Sequence, residues 1–291
     1  MKEPLLNIEN LTVSFDMYDR GFEKKRLEVI HSLSLQVYDG EILAVVGASG
    51  SGKSLLANAV LGILPGNSQV SGEMIYDGIM LDADRQKKLR GKEIVLIPQS
   101  VDYLDPLMRV GKQVRGISGT AEKVKKAFRR YNLGEDVEKM YPFQLSGGMA
   151  RRVLISTAVM ADSRLIIADE PTPGLDTDMA METLSNFREL ADKGCGVLLI
   201  THDIDLAFNV ADRIAVFYAG TVVEECPVED FKAGKETLRH PYSKAFIDAL
   251  PQNDFKPIEG TQPYAGNLPE GCLFAPRCPY RTDKCAENIE M

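Results

Sequence analysis

Residues 41–56 read "EILAVVGASGSGKSLL". An apolar run, Ile42 to Val46, leads straight into Gly47, and Gly52-Lys53-Ser54 follows after four further residues. Such a run fits a buried strand, and "LLANAVLGIL" beyond the glycines fits a helix. The turn between them, Gly47-Ala48-Ser49-Gly50-Ser51-Gly52-Lys53-Ser54, has the spacing of a phosphate-cradling loop. Glycines let the backbone take positive φ and approach a ligand closely. Successive N–H groups then converge on an anion, and the following helix adds its positive dipole end. In such a loop Lys53 lies against the β- and γ-phosphates and the Ser54 hydroxyl ligates Mg²⁺. A plain glycine-rich turn is the bland alternative; the strand before and the helix after favour a nucleotide site.

The 291 residues suit one large α/β domain with an appendage, and 44% hydrophobic content is ample for a core. A formal charge of −8 argues against broad electrostatic binding of nucleic acid. The basic stretch "KVKKAFRRY" reads as a solvated helix face. No run approaches the length of a membrane span, and "MKEPLLNIEN" lacks the form of a secretory signal, so a cytosolic chain is expected.

"LLNIENLTVSF" and "LEVIHSLSLQVY" alternate like strands, and "GEMIYDGIML" like a hairpin turning at Asp77-Gly78. The helix opening at Lys53 is expected to reach Leu64 and stop at Pro65-Gly66. "EIVLIPQ" is a second buried strand. From Leu104 to Gln144 only helical periodicity is visible, in Ala121, Val124, Ala127-Phe128 and Tyr131. Buried strands return with "RLIIADE", "GVLLI" and "RIAVFYAG", an alternation that implies a largely parallel sheet covered by helices. Residues 251–271 have linker chemistry, with four prolines and three glycines.

"RLIIADEPT" ends a strand with Asp169 and Glu170. In phosphate-loop proteins an Asp so placed holds Mg²⁺, and the adjacent carboxylate can orient and deprotonate an attacking water. "LSGGM", residues 145–149, lies 23 residues before Asp169 when counted from Ser146, and Ser146 is a natural helix N-cap. Together with "YPFQ" before it, this stretch makes the chain resemble the ATP-binding cassette ATPases over about residues 5–250.

The resemblance implies an α/β P-loop NTPase fold: a RecA-like parallel core, an antiparallel β-subdomain and an inserted α-helical subdomain at about 101–160. The cassette is expected to occupy 1–250, and a linker with a Cys-containing extension 251–291. It implies ATP and Mg²⁺ bound by Gly47–Ser54, with Ser54, Gln99 and Asp169 around the metal and Glu170 as catalytic base. His202 in "LLITHD" matches the switch histidine and Asp176 in "PTPGLD" the D-loop. Ser146, Gly147 and Gly148 would cover the γ-phosphate held by a second cassette. An aromatic near the first strand would stack on adenine; Tyr18 is favoured over Phe15 and Phe22. Two departures stand out: Ala150-Arg151 where Arg-Gln or Gln-Gln is common, and Pro173-Gly174 where Thr/Ser-Ala is usual.

"RHPYSKAFIDALP", the Met of "LSGGM" and "GCLFAPRCPYRTDKC" resemble the ATPases of oligopeptide, dipeptide and nickel importers of bacteria. This branch implies two integral-membrane permeases, a second and different ATPase subunit, an extracytoplasmic solute-binding protein, and a place on the cytoplasmic face of the membrane. Many members carry four tail cysteines thought to hold a 4Fe–4S cluster; this chain has Cys272, Cys278 and Cys285. Either a fourth ligand lies beyond this chain's end, or another group completes such a site, or the tail is inert to redox chemistry. Cys195 and Cys226 read as core. Cassettes of this family also serve DNA repair, translation and export. Coiled coils or fused cassettes, usual in the first two, are absent, and "HPYS" argues against the third.

Overall fold

The computed structural model describes residues 2–18, 24–116, 119–160, 163–250, 252–253 and 255–287. Along the chain come β1 (Leu6–Tyr18), β2 (Lys24–Val37), β3 (Ile42–Val46), β4 (Ser68–Tyr76) and β5 (Ile79–Met80). They are followed by β6 (Ile94–Ile97), β7 (Leu165–Asp169), β8 (Gly196–Thr201), β9 (Arg213–Tyr218) and β10 (Thr221–Pro227). The antiparallel sheet has the order β2-β1-β4-β5, and the larger sheet β10-β9-β3-β8-β7-β6. All pairs of the larger sheet are parallel except β9 with β10.

The parallel strands are short and apolar because both faces are covered. Ile42, Ala44 and Val46 face one core, Leu43 and Val45 the other, and β7 and β8 alternate in the same way. One core receives the antiparallel sheet and α1 (Lys53–Leu61). The other receives the helices between β6 and β7, which are α3 (Val110–Arg115), α4 (Ala121–Arg130) and α5 (Gly147–Met160); α2 (Ala83–Leu89) precedes them. It also receives α6 (Thr177–Asp192), α7 (Ile204–Phe208), α8 (Val228–Lys232) and α9 (Pro241–Asp248). The expected helical insertion is therefore present, with Val124, Ala127, Phe128 and Tyr131 all buried.

Two local expectations change. α1 stops at Leu61, short of Leu64, because Gly62 takes φ 63° and its N–H caps the carbonyls of Asn58 and Ala59. The C-cap forms before Pro65 is reached. β10 was read only as a strand-like setting for Cys226; it folds back on β9 through Ala219 and Gly220, both at positive φ. The Asp77-Gly78 hairpin forms as read.

The tail does not trail free of the core. Phe274 is buried edge-on against Tyr218 and Tyr242, with ring centroids 5.4 Å apart in both pairs. Arg277 caps this layer and donates to the carbonyls of Ile258 and Glu259, stapling the proline-rich segment down. His240 caps α9, its Nδ1 accepting from the Tyr242 N–H at 3.1 Å. Burial holds the imidazole below its ordinary value of 6.5, against the pull of the nearby Glu224 carboxylate.

Phe274→Ala should cost about 3–5 kcal/mol where this layer packs, seen as a lower Tm and earlier proteolysis of the tail. For His240 the unfolded chain binds more protons, so stability should fall as pH drops through 6.5. Melting curves between neutral and mildly acidic pH should show this slope in the native chain and a shallower one in His240→Asn, whose side chain can still cap the helix.

Candidate functional site

The loop 47–54 leaves the end of β3 and winds into α1. Gly47 has no room for a side chain, since a Cβ there would lie 2.3 Å from the Phe217 carbonyl oxygen. Gly52 takes φ 104°, which turns the chain into the helix. Ala48, Ser49 and Gly50 form an exposed rim, while Lys53 is 6% exposed. Lys53 Nζ donates to the Gly47 and Ala48 carbonyls, both at 2.9 Å. The Ser51 hydroxyl is buried with no partner among the described residues. A loop lined by amides, holding a buried ammonium and an orphaned hydroxyl, fits a polyphosphate.

β7 lies two strands from β3 across β8, so its end meets the loop. The Ser54 hydroxyl donates to Asp169 Oδ1 at 3.1 Å. Hydroxyl and carboxylate are hard oxygen donors of the kind Mg²⁺ takes. Glu170 steps off the strand at φ 49°, a left-handed conformation costly for a non-glycine residue. Its N–H donates to Ile200 O at 2.9 Å. Its carboxylate shares a 2.8 Å hydrogen bond with Nδ1 of His202, whose side chain is 54% exposed beyond β8. Burial raises Asp169 above the carboxylate range despite the Ser54 hydrogen bond and the Lys53 charge. Burial also lowers Lys53, while Glu170 and Asp169 pull it back up.

Gln99 follows β6, with its side chain exposed and its carbonyl bound by Arg151. Ser146 and Gly147 are exposed at the start of α5, and Ser146 Oγ accepts from the Met149 N–H at 3.3 Å. Asp176 caps α6, accepting from the Met179 N–H at 2.9 Å. Pro173-Gly174 form a turn closed by Leu175 N–H to Thr172 O at 3.1 Å, with Gly174 at φ 81°. That turn touches the start of α5: a Cβ on Gly148 would lie 3.3 Å from Gly174 O. The sequence reading noted Arg151 only as a departure. Its place one turn into α5, beside apolar Val153 and Leu154, was the available sign that it is buried.

Two expectations fare less well. Val29 of β2 lies against Gly52, and the β1–β2 register sets Phe15 opposite Leu27 but Tyr18 opposite Lys24. Tyr18 thus sits five residues along the arm from Val29, roughly 16 Å in an extended strand, and is 68% exposed. Phe15 is the described aromatic held nearer the loop; Phe22 lies outside the described residues. The three tail cysteines do not form a metal site. Among the described residues no group of three or more His, Cys, Asp or Glu could hold a metal ion. Cys272 and Cys278 pack on the core, and the Cys285 sulfur is occupied by the amide and hydroxyl of Thr282. The residues therefore do not fit an iron–sulfur cluster.

Gly47→Ala should push the loop off the Phe217 carbonyl. We expect about 1–3 kcal/mol of lost stability together with weaker ATP retention, measured by thermal melts and equilibrium binding.

A family model described as "ABC transporter" matches residues 30–173, and one described as "Oligopeptide/dipeptide transporter, C-terminal region" matches residues 223–285. The oligopeptide transport ATP-binding protein AppD of Bacillus subtilis is 34% identical, with 98% of this chain and 91% of that protein covered. The dipeptide transport ATP-binding protein DppD of Haemophilus influenzae is 35% identical, with 97% and 90% covered. A solved dimeric bacterial ABC transporter cassette superposes with a TM-score of 0.67 at 27% identity, covering 77% of this chain and 98% of that one. A dimeric cassette in a post-hydrolysis state with ADP and Pi gives the same score at 26% identity and the same coverage. Loop, carboxylates and histidine at the strand ends, with the matched tail, settle the family: the chain is an ABC ATPase of the oligopeptide/dipeptide transport ATP-binding proteins.

Proposed function

We propose that this protein is the ATP-hydrolysing subunit of an importer for peptides, working at the cytoplasmic face of the membrane with permease chains and a second cassette. The observation that carries this reading is the convergence at the end of β7, where Ser54 meets Asp169 and His202 meets Glu170. Peptide cargo is favoured over nickel-type solutes by the peptide-transport names of the relatives above. The proposed partners are two permeases, a related but different ATPase subunit and, indirectly, an extracytoplasmic binding protein.

The residues divide the work as follows. When ATP enters, Lys53 releases the Gly47 and Ala48 carbonyls and turns to the phosphates, while the loop amides surround them. Ser54, Gln99 and Asp169 would hold Mg²⁺, which would supply positive charge to the phosphate oxygens. Glu170 takes a proton from water as the water oxygen bonds to the γ-phosphorus and the bond to the ADP oxygen breaks. His202 keeps Glu170 oriented through Nδ1 and offers its exposed edge to the γ-phosphate. Ser146 and Gly147, exposed here, and Gly148, partly buried, close over the ATP of the partner cassette, and Asp176 holds the intervening loop. ATP thus clasps two cassettes, and its hydrolysis lets them part.

Glu170→Gln should lower turnover by about 100-fold or more while ATP binding persists and an ATP-dependent dimer accumulates in light scattering. Wild-type turnover in this variant would remove Glu170 from the base role.

A further inference from the structure

Cassettes commonly carry Arg-Gln or Gln-Gln after the signature turn, but this chain has Ala150-Arg151. Arg151 is 5% exposed and sits one helical turn beyond Ser146. Its guanidinium spans two adjacent carbonyls just past β6: Nη1 donates to Pro98 O at 2.7 Å and Nη2 to Gln99 O. We propose that Arg151 is a positioning residue for ATP hydrolysis, fixing the backbone at Gln99 to the helix that presents Ser146, Gly147 and Gly148. The inference rests on the roles given above to Gln99 and the signature turn.

The geometry asks for a guanidinium. Burying a cation is costly unless its surroundings compensate, so packing alone would favour an apolar residue here. Two neighbouring carbonyls reached by one guanidinium match the planar fork of Arg, which donates along two fixed directions. An ammonium lacks that fork, and an amide lacks the charge. The Arg151 Nε–H is buried without a partner among the described residues, so only the carbonyls on one side hold the group. Asp169 and Glu170 favour its charge, as they favour that of Lys53 at the start of α1.

The consequence is mechanical. The Gln99 side chain is exposed and able to reach into the site, but its main chain is tied to α5. A shift of the signature turn therefore moves the backbone of Gln99, and the reverse holds equally. Arg151 touches neither the phosphates nor the attacking water. Its loss should slow the step that needs Gln99 in place and leave the affinity set by loop 47–54 nearly intact.

The test uses the full chain and the variants Arg151→Lys, Arg151→Gln and Arg151→Met. ATP sites are counted by equilibrium binding, and turnover is expressed per competent site so that misfolded protein does not mimic a slow enzyme. Arg151→Met should bind ATP within about threefold of wild type while kcat per site falls by about tenfold to a hundredfold. Lys and Gln should recover part of the rate, through charge and through one hydrogen bond respectively. Rates per site equal to wild type in all three variants overturn the proposal. So does a loss of affinity as large as the loss of rate, which would make Arg151 a packing residue. Glu170→Gln, assayed alongside, separates the two readings: if it still turns over, the assignment of the site fails, and not merely that of Arg151.

Discussion

Two carboxylates at the end of a buried strand are the constraint around which this molecule is arranged. Asp169 and Glu170 are adjacent in sequence and each is 6% exposed. Like charges so close in a dry site cannot both stay ionised without cations beside them. The chain supplies two from elements that the sequence keeps far apart. Lys53 comes from the start of α1 and Arg151 from the first turns of α5; burial lowers both, and the carboxylates offset this only in part. In formal charge, two cations balance two carboxylates, and the site can take up a metal and a polyphosphate together.

Strand order makes that arrangement attainable. β3, β8 and β7 lie side by side and run parallel, so their C-terminal ends open on one edge. In open parallel sheets ligands bind at that edge. Here it carries the phosphate loop, His202 and the carboxylates in adjoining positions. No long loop is needed to bring Ser54 to Asp169, and the left-handed turn at Glu170 is enough to aim its side chain at His202.

This site was legible in the sequence where chemistry demands particular residues in tight spacing. The glycines before Lys53, the acidic pair after "LIIA" and the histidine after "VLLIT" each announce a backbone path as well as a side chain. What stayed hidden depends on contacts between distant segments. Arg151 looks like any helical arginine until its bonds to Pro98 and Gln99 are seen. Tyr18 was favoured over Phe15 for stacking, although only the pairing register with β2 tells how far along the arm each lies. The end of α1 was misjudged for a local reason: proline is the louder signal, yet Gly62 ends a helix as effectively and comes first.

The tail shows how a segment without a helical or strand period still acts on the site. Phe217 presents the carbonyl that leaves Gly47 no room, and Tyr218 beside it stacks against Tyr242 with centroids 4.4 Å apart. Burial and the Tyr218 hydroxyl push the Tyr242 hydroxyl up to about 12, so it stays neutral. On the loop itself, the Ala48 carbonyl is held by Lys53. Phe274 and Arg277 close the other side of this aromatic layer. Phe217 carries the position of this layer to the loop, because it adjoins Tyr218 in the chain and its carbonyl leaves Gly47 no room. The cysteines of the same segment, two of them packed on the core and Cys272 N–H donating to Cys285 O at 2.9 Å, need bind no metal for the tail to matter.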